Sequence, residues 1–97
     1  MRIIARRTLR VFWEANRDAE QPLKAWFREA QAAQWGSPHD VKAQYRSASI
    51  VGGNRIVFNV AGNKYRLVVK FNFAHRIAYI RFVGTHADYD LIDIEAT

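Results

Sequence analysis

Apolar residues recur at helical spacing in the first half of the chain and at every second position in much of the second half. "MRIIA" is short, apolar and β-branched, which predicts a first strand over Arg2 to Ala5. Thr8 is placed to cap a helix carrying Leu9, Phe12 and Trp13 on one side. A second helix is expected from near Pro22, a residue tolerated in a first turn. Asp18 and Gln21 just before it resemble a capping box, and Leu23, Trp26, Phe27 and Ala30 follow at helical spacing. These aromatics read as core contacts rather than a base-stacking platform. Gly36, after Trp35, marks a helix stop. "SPHDV" then offers Ser37 as N-cap, Pro38 in the first turn and Asp40 near the positive end of the dipole, so a short helix is expected to about Tyr45.

From Arg55 the period changes to two. In "RIVFNVAGNKYRLVVKFNF", Ile56, Phe58 and Val60 alternate with Arg55, Val57 and Asn59. Tyr65, Leu67, Val69, Phe71 and Phe73 alternate with Lys64, Arg66, Val68, Lys70 and Asn72. Gly62-Asn63 is a two-residue hairpin signal, which sets Asn59 opposite Arg66 and Phe58 opposite Leu67. A further strand runs from Ile77 to Gly84, after a loop around Ala74, His75 and Arg76. A two- or four-residue loop there pairs Val69 with Ile80 and Leu67 with Phe82, whereas an odd length reverses the faces. The register sends Ile56, Phe58, Val60, Leu67, Val69, Phe71, Ile80 and Phe82 to the core. It leaves Arg55, Asn59, Arg66, Lys70, Tyr79 and Arg81 on the other face, with Val57, Val68 and Val83 among them. The expected architecture is α+β: a short strand and two helices packed on an antiparallel sheet of three to four strands.

The 97 residues suit one compact domain, residues 1–97, and about half are hydrophobic, enough for a modest core. There is no cysteine, which excludes disulfides and thiolate metal sites and favours a reducing compartment. No run approaches the ~20 apolar residues that span a bilayer, and "MRIIARRTLR" lacks the apolar stretch of a secretory signal. The expected location is the cytoplasm, with no membrane partner.

Charge changes the picture more. The net charge is +6, and no acidic residue lies between Asp40 and Asp88. That interval holds Lys42, Arg46, Arg55, Lys64, Arg66, Lys70, Arg76 and Arg81. Long basic side chains covering an exposed sheet face would explain the alternation, but not why every charge there is positive. Nucleic acid is the expected partner. The arginine fork suits phosphate oxygens. Cleavage of RNA without a metal further requires deprotonation of the 2′-hydroxyl, stabilisation of the pentacoordinate phosphate and protonation of the 5′-oxygen. His86 and Tyr89 are the proton-transfer candidates, with Arg66 and Arg81 as charge stabilisers. Asp88 and Asp90 are the only nearby acids for a hard cation, and neighbouring arginines oppose one, so no metal or other cofactor is expected. No serine stands in a nucleophile context.

"VFNVAGNKYRLVVKFNF" followed by "AYIRFVGTHADYD" resembles the HigB-type toxins of bacterial toxin–antitoxin systems, within the RelE-like superfamily. The resemblance spans nearly the whole chain, and its specific part is "NKYRLV", "YIRF" and "THADYD". It implies an mRNA endonuclease, acting without a metal on translating ribosomes and neutralised by a helix-turn-helix antitoxin of HigA-like type. Much of the basic surface would then hold ribosomal RNA, and operator DNA would be bound only through the antitoxin complex. Arg66 in "YRLVV" and Arg81 in "YIRF" match strand positions where relatives present basic residues to the scissile phosphate. Tyr89 matches an aromatic that orients or activates RNA, and His86 belongs to the "THxxYD" ending. Lys64 and Lys70 are expected RNA contacts and alternative bases. Arg55, Asn59 and Arg76 complete the expected RNA-binding set. The competing reading is a non-catalytic basic RNA-binding module. Codon preference and the general acid and base stay open at this point.

Overall fold

A computed structural model describes residues 1–97. Its order is β1 (Arg2–Ile4), α1 (Arg6–Ala15), α2 (Glu20–Ala32), α3 (Pro38–Gln44), β2 (Ser49–Gly52), β3 (Arg55–Val60), β4 (Tyr65–Asn72), β5 (Ile77–Thr85) and α4 (His86–Leu91). A 3-10 turn, Arg17–Ala19, leads into α2, and another, Ile94–Ala96, follows α4. The five strands form one mixed sheet in the order β1-β5-β4-β3-β2. β1 runs parallel to β5, and the other pairs are antiparallel.

The α+β class matches the expectation, but the sheet is larger than the three to four strands expected, and it is mixed rather than antiparallel because β1 joins β5 in parallel. The additional strand is β2. It is only four residues long, with Ser49 and Ile50 paired to Val57 and Ile56, and a bulge precedes Gly52. So short a piece shows no alternation to detect.

The helices differ from the sequence reading mainly at their ends. α1 starts at Arg6 after an extended Ala5, and Thr8 caps nothing. Asp18 lies in the 3-10 turn, and α2 has no side-chain cap. α2 stops at Ala32, ahead of Gly36, because Ala33 turns extended. α3 begins as expected, with the Ser37 side chain accepting from the Asp40 N–H.

Packing follows the helical periodicity. Leu9 and Trp13 from α1, and Leu23, Trp26 and Ala30 from α2, are buried against one face of the sheet. That face supplies Ile56, Phe58, Val60, Leu67, Val69, Phe71 and Ala78. Trp26 meets Phe58 edge to face at 5.4 Å, and Trp35 meets Phe71 at 5.8 Å, an arrangement favoured by the ring quadrupoles. The three tryptophans are core residues, as the spacing implied.

The β3–β4 register is the expected one: Asn59 faces Arg66 and Phe58 faces Leu67. The β4–β5 register begins as expected, with Val69 opposite Ile80, and then shifts. A bulge makes Arg81 the extra residue, so Val68 faces Phe82 and Leu67 faces Val83. One inserted residue reverses every later side chain. Phe82 therefore leaves the core face to which its parity had assigned it, and Val83 packs there instead.

The second face consequently carries three cross-strand rows: Arg55–Lys70–Tyr79, Val57–Val68–Phe82, and Asn59–Arg66–Gly84. Val57 and Val68 are 1% and 0% exposed, although they lie outside the helix-side core. The second face is thus partly covered. α4 packs on β4 and β5 there. Arg55 donates from Nε to Thr97 O and from Nη2 to Glu95 O, each at 2.9 Å, tying down the last turn.

Candidate functional site

Thr85 ends β5 and caps α4. Its hydroxyl accepts from the Asp88 N–H at 3.1 Å, and Asp88 Oδ2 accepts from the Thr85 N–H at 3.3 Å. This reciprocal pair fixes the first turn of the helix. The turn brings His86 and Tyr89 back over the row that holds Arg66. Gly84, directly across from Arg66, makes the approach possible. A Cβ there would lie 2.6 Å from the Phe82 ring and 3.3 Å from Asp88 Cβ.

Arg66 is the hub. Its Nη1 donates to Asn59 Oδ1, and its Nη2 lies 2.6 Å from His86 Nε2. Its guanidinium carbon stands 5.6 Å from the centre of the Tyr89 ring. Asn59 is itself held, because its Nδ2 donates to Ser47 O at 3.1 Å. Tyr89 rests beside Phe82, with ring centres 6.4 Å apart. The Arg66 Nε–H is buried without a protein partner.

A guanidinium has no acceptor atom, so the Arg66 Nη2–His86 Nε2 contact is a hydrogen bond in the tautomer that leaves Nε2 bare and carries the proton on Nδ1. Nδ1 faces Asp90 Oδ2 at 3.5 Å, one helical turn away. Asp90 favours that tautomer and leaves the Nε2 lone pair pointing at Arg66. The arrangement can take a proton at Nε2 once an anion draws the guanidinium aside.

The other expected residues divide into two groups. Lys70, Tyr79 and Arg81 line an open cleft of about 520 Å³ with Asn54, Asn72 and Phe73. The Arg81 guanidinium carbon lies 5.4 Å from the Tyr79 ring centre. Four residues along β4 separate Lys70 from Arg66, a distance of about 13 Å. Arg66 and Arg81, expected to stand together, are thus on opposite sides of the Val57–Val68–Phe82 row. Lys64 is turned away from both, in an ion pair with Asp18. Tyr65 also donates to Asp18, at 2.5 Å. The Lys64 and Tyr65 hydrogen bonds hold the Asp18 carboxyl below its ordinary value. Asp18 in turn raises the Lys64 ammonium and the Tyr65 phenol. Arg55 is engaged with the C-terminal turn, and Arg76 is an exposed turn residue with φ of 56°.

The structure adds Asp90 as a partner for His86, which the sequence reading does not include. Its i,i+4 spacing within "HADYD" was the available signal. Asp88 is engaged in the helix cap, and no three His, Asp or Glu side chains converge as a ligand set. No helix is long and apolar enough to cross a membrane.

A profile of the HigB toxin family, described as the RelE-like toxic component of a toxin–antitoxin system, matches residues 19–92. That span includes every side chain of the Arg66 cluster and of the cleft. No curated protein matches the chain.

Proposed function

With the chain belonging to the HigB toxin family of RelE-like toxin components, we propose that it is a ribosome-dependent mRNA endonuclease. It cuts translated mRNA without a metal and so inhibits translation. The toxin role implies a cognate antitoxin, which in this reading is a helix-turn-helix protein of HigA-like type. Operator DNA is bound only through that complex, and the cytoplasm is where toxin and ribosome meet.

The observation that carries the reading is the contact between Arg66 Nη2 and His86 Nε2. A scissile phosphate is a better acceptor for the guanidinium than a neutral imidazole, because the hydrogen bond becomes fully charge-assisted. Arg66 then turns its fork to the phosphate oxygens and releases the Nε2 lone pair. His86 takes the proton of the 2′-hydroxyl, and the 2′-oxygen bonds to phosphorus. The P–O5′ bond breaks, and the Tyr89 hydroxyl protonates the departing 5′-oxygen. The products are a 2′,3′-cyclic phosphate and a 5′-hydroxyl. Arg66 stabilises the added charge on the phosphorane. Positive charge over the RNA path, including Lys70 and Arg81, holds the strand. A small site suffices if the ribosome positions the substrate, because orientation alone supplies much of the barrier reduction.

The test is to map mRNA 5′ ends after adding the purified chain to translating ribosomes and, separately, to the same mRNA free of ribosomes. New 5′-hydroxyl ends in the ribosome-bound sample alone are expected. Intact mRNA with salt-sensitive RNA binding would instead identify a non-catalytic RNA-binding module.

A further inference from the structure

The cleft lies at the Lys70 end of the sheet, about 13 Å along β4 from Arg66 by strand spacing. The apolar Val57–Val68–Phe82 row stands between the two groups. The cleft nevertheless combines the three parts that hold one nucleotide. Tyr79 is a half-buried aromatic on the open face, across from Lys70. Lys70 supplies positive charge beside it, and the Arg81 guanidinium lies over the ring, 5.4 Å from its centre. Asn54 and Asn72 add amide groups able to read a base edge. Asn72 uses its carbonyl oxygen on the His75 N–H at 3.1 Å, which leaves its NH₂ free to donate.

The bulge explains why Arg81 is available. As the extra residue it has no partner across β4, and its side chain is exposed at the cleft rather than packed within a row. The volume of about 520 Å³ lies within the ordinary range for a small-ligand site. The Tyr79 ring and the guanidinium stacked over it offer planar faces on which any base can stack, and the asparagine amides add discrimination.

We propose that this cleft is a second RNA subsite, which binds one nucleotide of the mRNA adjoining the cut, base against Tyr79 and phosphate at Arg81 and Lys70. The proposal rests on the endonuclease reading for the identity of the strand, and extends it by separating cleavage at Arg66 from recognition about 13 Å away along β4.

The experiment is an NMR titration of the intact chain with AMP, GMP, CMP and UMP, and with inorganic phosphate as a control. Amide shifts are expected at Lys70, Asn72, Tyr79 and Arg81 with the nucleotides. Tyr79→Ala should weaken binding roughly tenfold, the scale of one lost stacking contact, and Tyr79→Phe should retain it. No shift at the cleft, or equal shifts with phosphate alone, would overturn the subsite. This arm does not depend on cleavage, so it stands or falls apart from the endonuclease reading. The second arm maps cut positions on ribosome-bound mRNA. Tyr79→Ala should change the distribution of cut positions among sequences. An unchanged distribution with weaker ribosome binding would assign the nucleotide to ribosomal RNA and overturn the proposal.

Discussion

Replacing Arg66 by Ala removes two hydrogen bonds and the cation beside Tyr89 in one step. Its effects on folding and on activity are separable. On the folding side, Asn59 Oδ1 loses its donor while Asn59 Nδ2 stays bound to Ser47 O. His86 Nε2 loses its donor at a half-exposed position, where water replaces it. Asn59 is only partly buried, so water can reach the freed acceptor and the loss is that of an ordinary hydrogen bond, about 0.5–1.5 kcal/mol. For a chain of this size each kcal/mol lowers Tm by roughly 4–8 °C. Stability of about 5–15 kcal/mol is usual for a small domain, so the variant remains folded at 25 °C. On the activity side, loss of one preorganised donor to the phosphorane costs about 10²–10³ in rate. Arg66→Lys keeps the charge and loses the fork, so it should fall between Ala and wild type. The assay is single-turnover cleavage of ribosome-bound mRNA, with melting curves on the same samples. Arg66→Ala and His86→Ala should also combine to less than the product of their separate losses, because Arg66 gates the His86 lone pair. A folded Arg66→Ala that cleaves at the wild-type rate would refute the mechanism.

Three further outcomes follow from the same contacts. Asp90→Asn should reduce cleavage without unfolding the chain, because it weakens the preference for the Nδ1–H tautomer of His86; the NMR ring-nitrogen shifts of His86 report that tautomer directly, and unchanged shifts would remove Asp90 from the mechanism. Gly84→Ala should cost about 1–3 kcal/mol by overpacking, since the new methyl meets the Phe82 ring, and it should displace Tyr89 and slow cleavage; chemical denaturation and cleavage assays check both. Asp18 is held below its ordinary 3.8, chiefly by the Lys64 hydrogen bond, so its contribution to stability is present above that value and disappears as pH falls through the lower, folded-state value. Lys64 and Tyr65 are raised, so their contributions are complete below pH 10 and are lost as pH climbs through the elevated values. Asp18→Asn should flatten the stability profile at both ends, and a profile parallel to wild type would show that the triad is energetically idle.

Most of the helix-side core was readable because burial and period agree. Leu9 and Trp13, then Leu23, Trp26 and Ala30, repeat at helical spacing and are buried where that spacing puts them. The β3–β4 register was readable from the short turn around Gly62-Asn63, because only one even pairing satisfies both faces. Lys64 was the harder case. Its parity placed it with the basic residues, but a residue in a turn is free of strand parity, and an acidic partner 46 positions earlier claimed it. Nothing local to "GNKY" could announce that long-range ion pair.

The bulge at Arg81 matters most for the site, and sequence parity could not reveal it. A bulge adds one residue without requiring a glycine or proline to mark it. Without it, Arg81 would stand opposite Val68, one row from Arg66, and Phe82 would point into the helix-side core. With it, the middle row gains an aromatic ring in place of a second guanidinium. That ring lies beside Tyr89, and Gly84 leaves room for it. One arginine is thus in contact with His86, and the second stands in a separate cleft. In the mechanism we propose, substrate arrival at Arg66 frees the base, while the cleft at Lys70 and Arg81 grips the strand from a distance.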